Sequence, residues 1–139
     1  MSRPRVLLAE DHQAAAEQLR SVLETQFEVV TVVRDGAALV EAAKTLGPDA
    51  IVTDIAMPVL DGIAAATRVL QQNPDARIVF VTVHRDAAIV QRGLAAGALG
   101  YVVKQAAGED LIPAVQAALR GRRHVALAVQ AERRKKCEL

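Results

Sequence analysis

Four short apolar runs in the sequence lead into side chains that could act together on a phosphoryl group. Glu10 and Asp11 follow the first of these runs, and Asp54 follows another. Thr82 ends a later run, and Lys104 follows the last one. Carboxylates held close together repel one another and require a cation, and an all-oxygen ligand set favours Mg²⁺ over Zn²⁺. Beside such an ion, Asp54 is the candidate nucleophile for a phosphoryl donor, with a lysine and a hydroxyl group to contact the phosphoryl oxygens.

Five apolar runs in all predict β-strands that are covered on both faces, because they are short, mostly β-branched and apolar throughout. The runs are residues 6–9, 29–33, 50–53, 78–82 and 99–103. Ala- and Leu-rich stretches with helical spacing separate them, so the predicted order is (βα)5. Five units are too few for a closed eight-stranded barrel. We therefore predict an α/β fold with an open, doubly wound, parallel five-stranded sheet, whose sites lie beyond the carboxyl ends of the strands.

The charge is unevenly distributed along the chain. The 139 residues carry a net charge of +1, but residues 1–119 contain 10 Lys/Arg against 14 Asp/Glu, and residues 120–139 contain 7 against 2. We predict one domain over residues 1–121 and a basic C-terminal tail or linker remnant over residues 122–139. Val125, Leu127 and Val129 recur at every second position of the tail, which leaves an extra strand or an arm open. The basic run after them is interpreted as a solvated end, because no recognition-helix pattern follows it.

The cysteine content, the apolar runs and the N-terminus of the sequence bear on the compartment of the protein. Cys137 is the single cysteine, so no disulfide can form within the chain, and a reducing compartment is expected. No apolar run approaches the roughly 20 residues that cross a bilayer. The N-terminus lacks the longer apolar segment and cleavage site of a signal peptide. We expect a cytoplasmic protein that does not contact a membrane.

Several segments, taken in order, resemble the receiver domain of bacterial two-component response regulators. The matching segments are VLLAEDH at residues 6–12, DIAMPVLDG at residues 54–62, VTVH at residues 81–84 and GALGYVVK at residues 97–104. The resemblance covers residues 4–121, and its last segment is similar to the NarL/FixJ (LuxR-type) subfamily. It implies a flavodoxin-like fold with the strand order 2-1-3-4-5.

The resemblance also assigns roles to the acidic and basic residues. Asp54 matches the phospho-acceptor, and Lys104 matches the lysine that contacts the phosphoryl oxygen. Mg²⁺ is the implied cofactor. Its implied ligands are Asp11, Asp54, the backbone carbonyl of Ala56 and, through water, Glu10.

Two further pairs of residues receive roles from the resemblance. Thr82 matches the switch hydroxyl that moves toward the phosphoryl group, and Tyr101 matches the aromatic residue that changes rotamer with it. Ala56 and His84 lie two residues beyond Asp54 and Thr82, at positions that tune the phosphoryl lifetime in the family. The resemblance thus implies a switch as well as a phosphorylation site.

The function implied by the resemblance is a phosphorylation-activated signalling switch. A sensor histidine kinase phosphorylates Asp54, and the surface of the fourth helix, fifth strand and fifth helix then changes to control an output. The expected output is transcription regulation through a DNA-binding domain absent from this chain. The chain is also expected to form a homodimer when it is phosphorylated. We expect no enzymatic activity other than self-directed phosphoryl transfer and autodephosphorylation.

Two other classes of function remain open from the residues. A small Mg²⁺-dependent phosphohydrolase shares the aspartate nucleophile, but Ala56 stands where such an enzyme needs a second aspartate as acid and base. A stand-alone or phosphorylation-independent interaction module of the same fold would typically have lost acidic or lysine positions, whereas all are present here.

Overall fold

Six parallel β-strands form the central sheet of the computed structural model, which describes residues 3–83 and 86–125. The strands are β1 (Arg5–Ala9), β2 (Glu28–Val33), β3 (Ala50–Thr53), β4 (Ile78–Thr82), β5 (Gly100–Val103) and β6 (His124–Val125). Their order across the sheet is β2-β1-β3-β4-β5-β6, and every neighbouring pair is parallel. The predicted α/β fold and the order 2-1-3-4-5 are therefore confirmed.

The prediction of five strands is wrong by one. His124 and Val125 pair with Gly100 and Tyr101 of β5, and the amide of His124 donates to the carbonyl of Leu99 at 2.8 Å. The sheet thus takes in two residues that the sequence analysis assigned to the tail. The apolar alternation that left a strand or an arm open begins with one of them, and its later members lie outside the described residues.

In the part of the chain that the structure describes, five helices cover the two faces of the sheet. They are α1 (Gln13–Glu24), α2 (Gly36–Leu46), α3 (Gly62–Gln72), α4 (Ala87–Ala95) and α5 (Ala107–Leu119), with a single 3₁₀ turn over Lys104–Ala106. Aspartate side chains accept a backbone hydrogen bond at the start of three helices, which fixes where each helix begins. These caps are Asp35, Asp61 and Asp86. Within residues 3–83 and 86–125, no helix has the length and apolar character that a membrane crossing requires.

The core consists of two apolar layers, one on each face of the sheet. On one face, strand residues such as Phe80 and Tyr101 pack with α2, α3 and α4. On the other face, residues such as Val52 and Val79 pack with α1 and α5. All residues of β3, β4 and β5 are buried, which explains why their sequences are apolar rather than alternating. This arrangement holds the carboxyl ends of the strands at one rigid edge.

Candidate functional site

The backbone at the carboxyl edge brings the predicted acidic residues together. Ala9, the last residue of β1, pairs with Thr53, the last residue of β3. The amide of Asp54 then donates to the carbonyl of Ala9 at 3.0 Å, and the amide of Glu10 donates to the carbonyl of Val33 at 2.9 Å. Because hydrogen bonding continues past the strand ends, Glu10 and Asp54 emerge side by side from the sheet.

Three carboxylates form a compact acidic cluster, composed of Glu10, Asp11 and Asp54. One oxygen of each lies within 4.8 Å of the others. Glu10 is 1% exposed and Asp54 is 4% exposed, so water screens their charges little. Oδ1 of Asp11 is buried and accepts no hydrogen bond from the residues that the structure describes. This set of hard oxygen donors, one of which has no hydrogen-bond partner among the described residues, fits a divalent cation such as Mg²⁺.

Lys104 joins two members of the acidic cluster. Its Nζ lies 2.9 Å from Oδ2 of Asp54 and forms a closer ion pair with Oε1 of Glu10. The residue follows β5, so its side chain reaches past the end of β4 to the carboxylates at the ends of β1 and β3. Only 17% of the side chain is exposed, so the cation is held inside the site rather than in bulk water.

The titration behaviour of the site follows from burial and charge. Burial raises the pKa of Glu10, and the charge of Asp54 raises it further, against the hydrogen bonds from Lys104 and from the amide of His12. Burial alone would lower the pKa of Lys104, but hydrogen bonds and charges from Glu10 and Asp54 raise it above its ordinary value. Lys104 is therefore an ammonium ion that partly neutralises the carboxylates.

The loop of residues 55–61, between β3 and α3, is held tightly against Asp54. The amide of Ile55 donates to Oδ1 of Asp54 at 2.7 Å, and the amide of Gly62 donates to the carbonyl of Ile55 at 2.7 Å. A Cβ atom at Gly62 would lie 2.0 Å from the carbonyl oxygen of Asp54, so only glycine allows this approach. Ala56, whose backbone carbonyl is a predicted metal ligand, lies in this loop and is exposed.

The two predicted switch residues are buried on β4 and β5. Thr82 is fully buried at the end of β4, where it pairs with Val103, the residue before Lys104. Tyr101 is fully buried on β5 and packs edge-to-face on Phe80, with ring centroids 6.2 Å apart. The structure therefore places both residues next to the strands that carry the site.

Tyr101 is also electrostatically linked to the site. Burial raises the pKa of Tyr101 well above its ordinary value, and the negative charges of Asp54 and Asp86 raise it further. The sequence analysis missed Asp86, although an aspartate directly before an Ala-rich helical run is a recognisable helix cap. The other predicted tuning residue, His84, lies outside the described residues.

Two exposed valines border the same edge of the sheet and were not singled out from the sequence. Val59, in the loop of residues 55–61, is 82% exposed, and Val83, directly after Thr82, is 55% exposed. Val59 also has a φ of 69°, a left-handed conformation that is uncommon for a β-branched residue. An isolated valine carries no sequence signal for such a conformation.

Comparison with known proteins agrees with this geometry. A family model described as the response regulator receiver domain matches residues 6–116. The transcriptional regulatory protein DegU of Brevibacillus brevis is 34% identical over 119 residues, which cover 84% of this chain and 50% of that protein. The chain spans about half the length of the curated relatives it matches.

Solved structures of the same class superpose closely. The crystal structure of a LuxR-family two-component response regulator from Aurantimonas sp. SI85-9A1 has a TM-score of 0.94 and 29% identity, covering 99% of this chain and 100% of that one. A Salmonella typhimurium RcsB response regulator, solved in a study of DNA interaction, has a TM-score of 0.88 and 28% identity, covering 97% of this chain and 69% of that one. The chain therefore belongs to the response regulator receiver domain family, with LuxR-family regulators among its relatives.

Proposed function

We propose that the chain is a phosphorylation-activated switch in which Asp54 accepts a phosphoryl group from a sensor histidine kinase. The observation that carries this proposal is the contact of Lys104 with both Glu10 and Asp54, beside an Asp11 oxygen that accepts no hydrogen bond from the described residues. A nucleophile, a cation and a set of metal ligands thus share one edge of the sheet.

The proposed transfer forms a bond between a carboxylate oxygen of Asp54 and phosphorus. The bond from phosphorus to the histidine nitrogen of the kinase breaks, and that nitrogen retains the electron pair. Lys104 is already within hydrogen-bond distance of Asp54 at 2.9 Å, so a small movement of its side chain brings the ammonium group to a phosphoryl oxygen. The amide of Ile55 holds the other carboxylate oxygen in place at 2.7 Å.

Mg²⁺ is the metal that the donor set fits. Asp11, Asp54 and the Ala56 backbone carbonyl would hold it directly, and Glu10 would hold it through water. The ion supplies positive charge next to the phosphoryl oxygens when it is bound. A buried anionic oxygen without a partner is costly, which supports a role for Oδ1 of Asp11 as a ligand.

The switch and the output follow from the position of Tyr101 and Thr82. Phosphorylation changes the charge at Asp54. Tyr101 responds because this charge acts on its buried hydroxyl group, and Thr82 responds because it is buried at the end of the strand next to β3. The surface formed by α4, β5 and α5 then changes its partners, including a second copy of the chain. The name of the relative DegU, a transcriptional regulatory protein, supports an output in transcription regulation. Our proposal adds that this output acts through a DNA-binding domain and that the switch works in the cytoplasm.

Phosphoryl transfer in this proposal is confined to Asp54 of the chain itself. Autodephosphorylation ends the active state: water attacks the phosphorus, the bond from phosphorus to the Asp54 oxygen breaks, and inorganic phosphate leaves. A phosphorylation-independent interaction module of the same fold is the alternative, and it would make Asp54 dispensable for partner binding. Ala56 stands where a phosphohydrolase would need a second aspartate, which disfavours turnover of free phosphoesters.

The test is the intact mass of the protein after incubation with acetyl phosphate and Mg²⁺, with and without EDTA. We expect a single Mg²⁺-dependent addition of about 80 Da, the mass of one phosphoryl group, on the wild type and none on Asp54→Ala. Asp75→Asn is the matched control, because Asp75 is exposed and remote from the carboxyl edge. Equal labelling of Asp54→Ala and wild type would refute the assignment of Asp54. If neither acetyl phosphate nor a beryllofluoride analogue modified the wild type, the interaction-module alternative would replace the proposal.

A further inference from the structure

Helix α2 touches the loop of residues 55–61 through a residue that has no side chain. Gly36 is the first residue of α2 and is buried. A Cβ atom at this position would lie 1.9 Å from the carbonyl oxygen of Leu60 and 2.8 Å from its Cβ atom. Both distances are far below any van der Waals contact, so every residue other than glycine would displace either the loop or the helix.

The loop that Gly36 contacts contains a strained backbone turn. The amide of Leu60 donates to the carbonyl of Pro58 at 2.7 Å, and Val59 between them has a φ of 69°. This pattern is a γ-turn of the rare form with positive φ, which persists only where the surroundings enforce it. The close approach of Gly62 to the carbonyl of Asp54 anchors the other end of the loop. Leu60 therefore lies between two fixed points, one of which is α2.

We propose that Gly36 is a positioning residue for the Asp54 site: by admitting the Leu60 carbonyl, it lets α2 support the strained loop that carries Ala56, a predicted Mg²⁺ ligand. This inference rests on the proposed function for the identity of the ligand. The atoms nearest to a Cβ at Gly36 all belong to Leu60, so Gly36 acts on the predicted ligand through the loop.

A side chain at position 36 displaces the loop rather than the helix. The helix is anchored at this end, because the side chain of Asp35 accepts from the amide of Ala38 at 2.8 Å, and Leu39 is 1% exposed in the core. By contrast, Leu60 is only partly buried against the core, and its neighbour Val59 is 82% exposed. The strained segment yields first, and the displacement reaches Ala56 through the backbone.

The test compares Gly36→Ala with Gly108→Ala. Gly108 is the matched control, because it also lies in the first turn of a helix but a Cβ atom there would meet nothing within 4 Å. The Mg²⁺ dissociation constant is measured by isothermal titration calorimetry, and the urea midpoint is measured in EDTA. We expect Gly36→Ala to weaken Mg²⁺ binding by about tenfold or more, as changes around metal ligands typically do, and Gly108→Ala to bind as the wild type does.

Each outcome decides the proposal. A folded Gly36→Ala variant with wild-type Mg²⁺ affinity would overturn it, because a purely structural glycine would alter the urea midpoint alone. If Gly36→Ala does not fold, Val59→Gly decides instead, since it releases the same loop without adding an atom to α2. Weakened Mg²⁺ binding with an undiminished urea midpoint in Val59→Gly supports the proposal, and unchanged binding overturns it. Absence of phosphoryl addition to the wild type would refute the proposed function only, because Mg²⁺ affinity is measured separately.

Discussion

Removal of the Lys104 charge should destabilise the protein. In Lys104→Met, an apolar side chain of similar length replaces the ammonium group, and the carboxylates of Glu10 and Asp54 face each other without it. At 2.9 Å and an effective dielectric constant of about 20, the Lys104–Asp54 attraction alone amounts to about 6 kcal/mol before desolvation is subtracted. The side chains of Lys104, Glu10 and Asp54 are 17%, 0% and 6% exposed, so solvent screening reduces this little.

The net loss is smaller than the Coulomb attraction, because burying the lysine is itself costly. Breaking a buried ion pair by removing one partner lowers stability by about 3–5 kcal/mol. We expect Lys104→Met to lower the free energy of unfolding by about 3 kcal/mol in EDTA. At about 4 °C per kcal/mol, this corresponds to a fall of about 12 °C in Tm. Lys44→Met is the matched control, because Lys44 is exposed on α2 and its loss should change stability by less than about 0.5 kcal/mol.

Magnesium provides a second measurement for the same variant. Without Lys104 the carboxylates lack a cation, so Mg²⁺ should bind the variant more tightly than it binds the wild type. Saturating Mg²⁺ should therefore reduce the difference in free energy of unfolding between the two proteins. Urea unfolding at a fixed pH, in EDTA and in saturating Mg²⁺, measures both quantities. The reasoning is refuted if Lys104→Met is as stable as Lys44→Met in EDTA, or if saturating Mg²⁺ leaves the gap unchanged.

Three further predictions test other parts of the structure. Asp11→Asn should be at least as stable as the wild type in EDTA, because it removes a like charge from the acidic cluster. Mg²⁺ at 100 times its Kd should stabilise the wild type by roughly 2.7 kcal/mol, and Asp11→Asn should lose most of this stabilisation. Equal Mg²⁺-dependent shifts in Tm for the two proteins would contradict this prediction. Pro113→Ala should raise stability by about 2 kcal/mol in urea unfolding, since Pro113 is exposed in the second turn of α5, where proline removes a helical hydrogen bond. A loss of stability would show that α5 needs the proline. Asp61→Ala should lower the free energy of unfolding by about 1 kcal/mol, because Asp61 caps α3 by accepting a hydrogen bond from the amide of Ala64 at 2.8 Å. Asp61→Asn retains the cap, so urea unfolding should show most of the wild-type stability for this variant.

The strands were predictable from the sequence because burial on both faces leaves a strong pattern. β3, β4 and β5 are apolar without interruption, and the residues that follow them point to one edge once the order of strands is assumed. β6 was not predictable in the same way. Its two described residues are only half-buried, and a run of two residues is too short for a periodic pattern.

The acidic cluster could likewise be predicted from the sequence, whereas the backbone contacts that hold the neighbouring loop could not. Glu10, Asp11 and Asp54 follow strands that adjoin, so topology alone brings them together. The contact of Gly36 with the Leu60 carbonyl depends on how closely α2 approaches a loop about 20 residues away along the chain. Spacing in a sequence reports periodicity within one element, but it carries no information on the distance between two backbones.

The order of strands in the sheet has a consequence for how the chain assembles during synthesis. β1 lies in the interior of the sheet, and from β3 onward the order in space is the order in the chain. A growing chain can therefore add each new strand to the edge that the preceding one has just formed. Until β4 emerges, the edge left open is β3, whose four residues are all buried in the finished sheet. Exposed apolar edges of this kind promote aggregation of partly folded chains. Truncated chains that end before residue 78 should consequently be insoluble, even though every residue of the acidic cluster is already present in them.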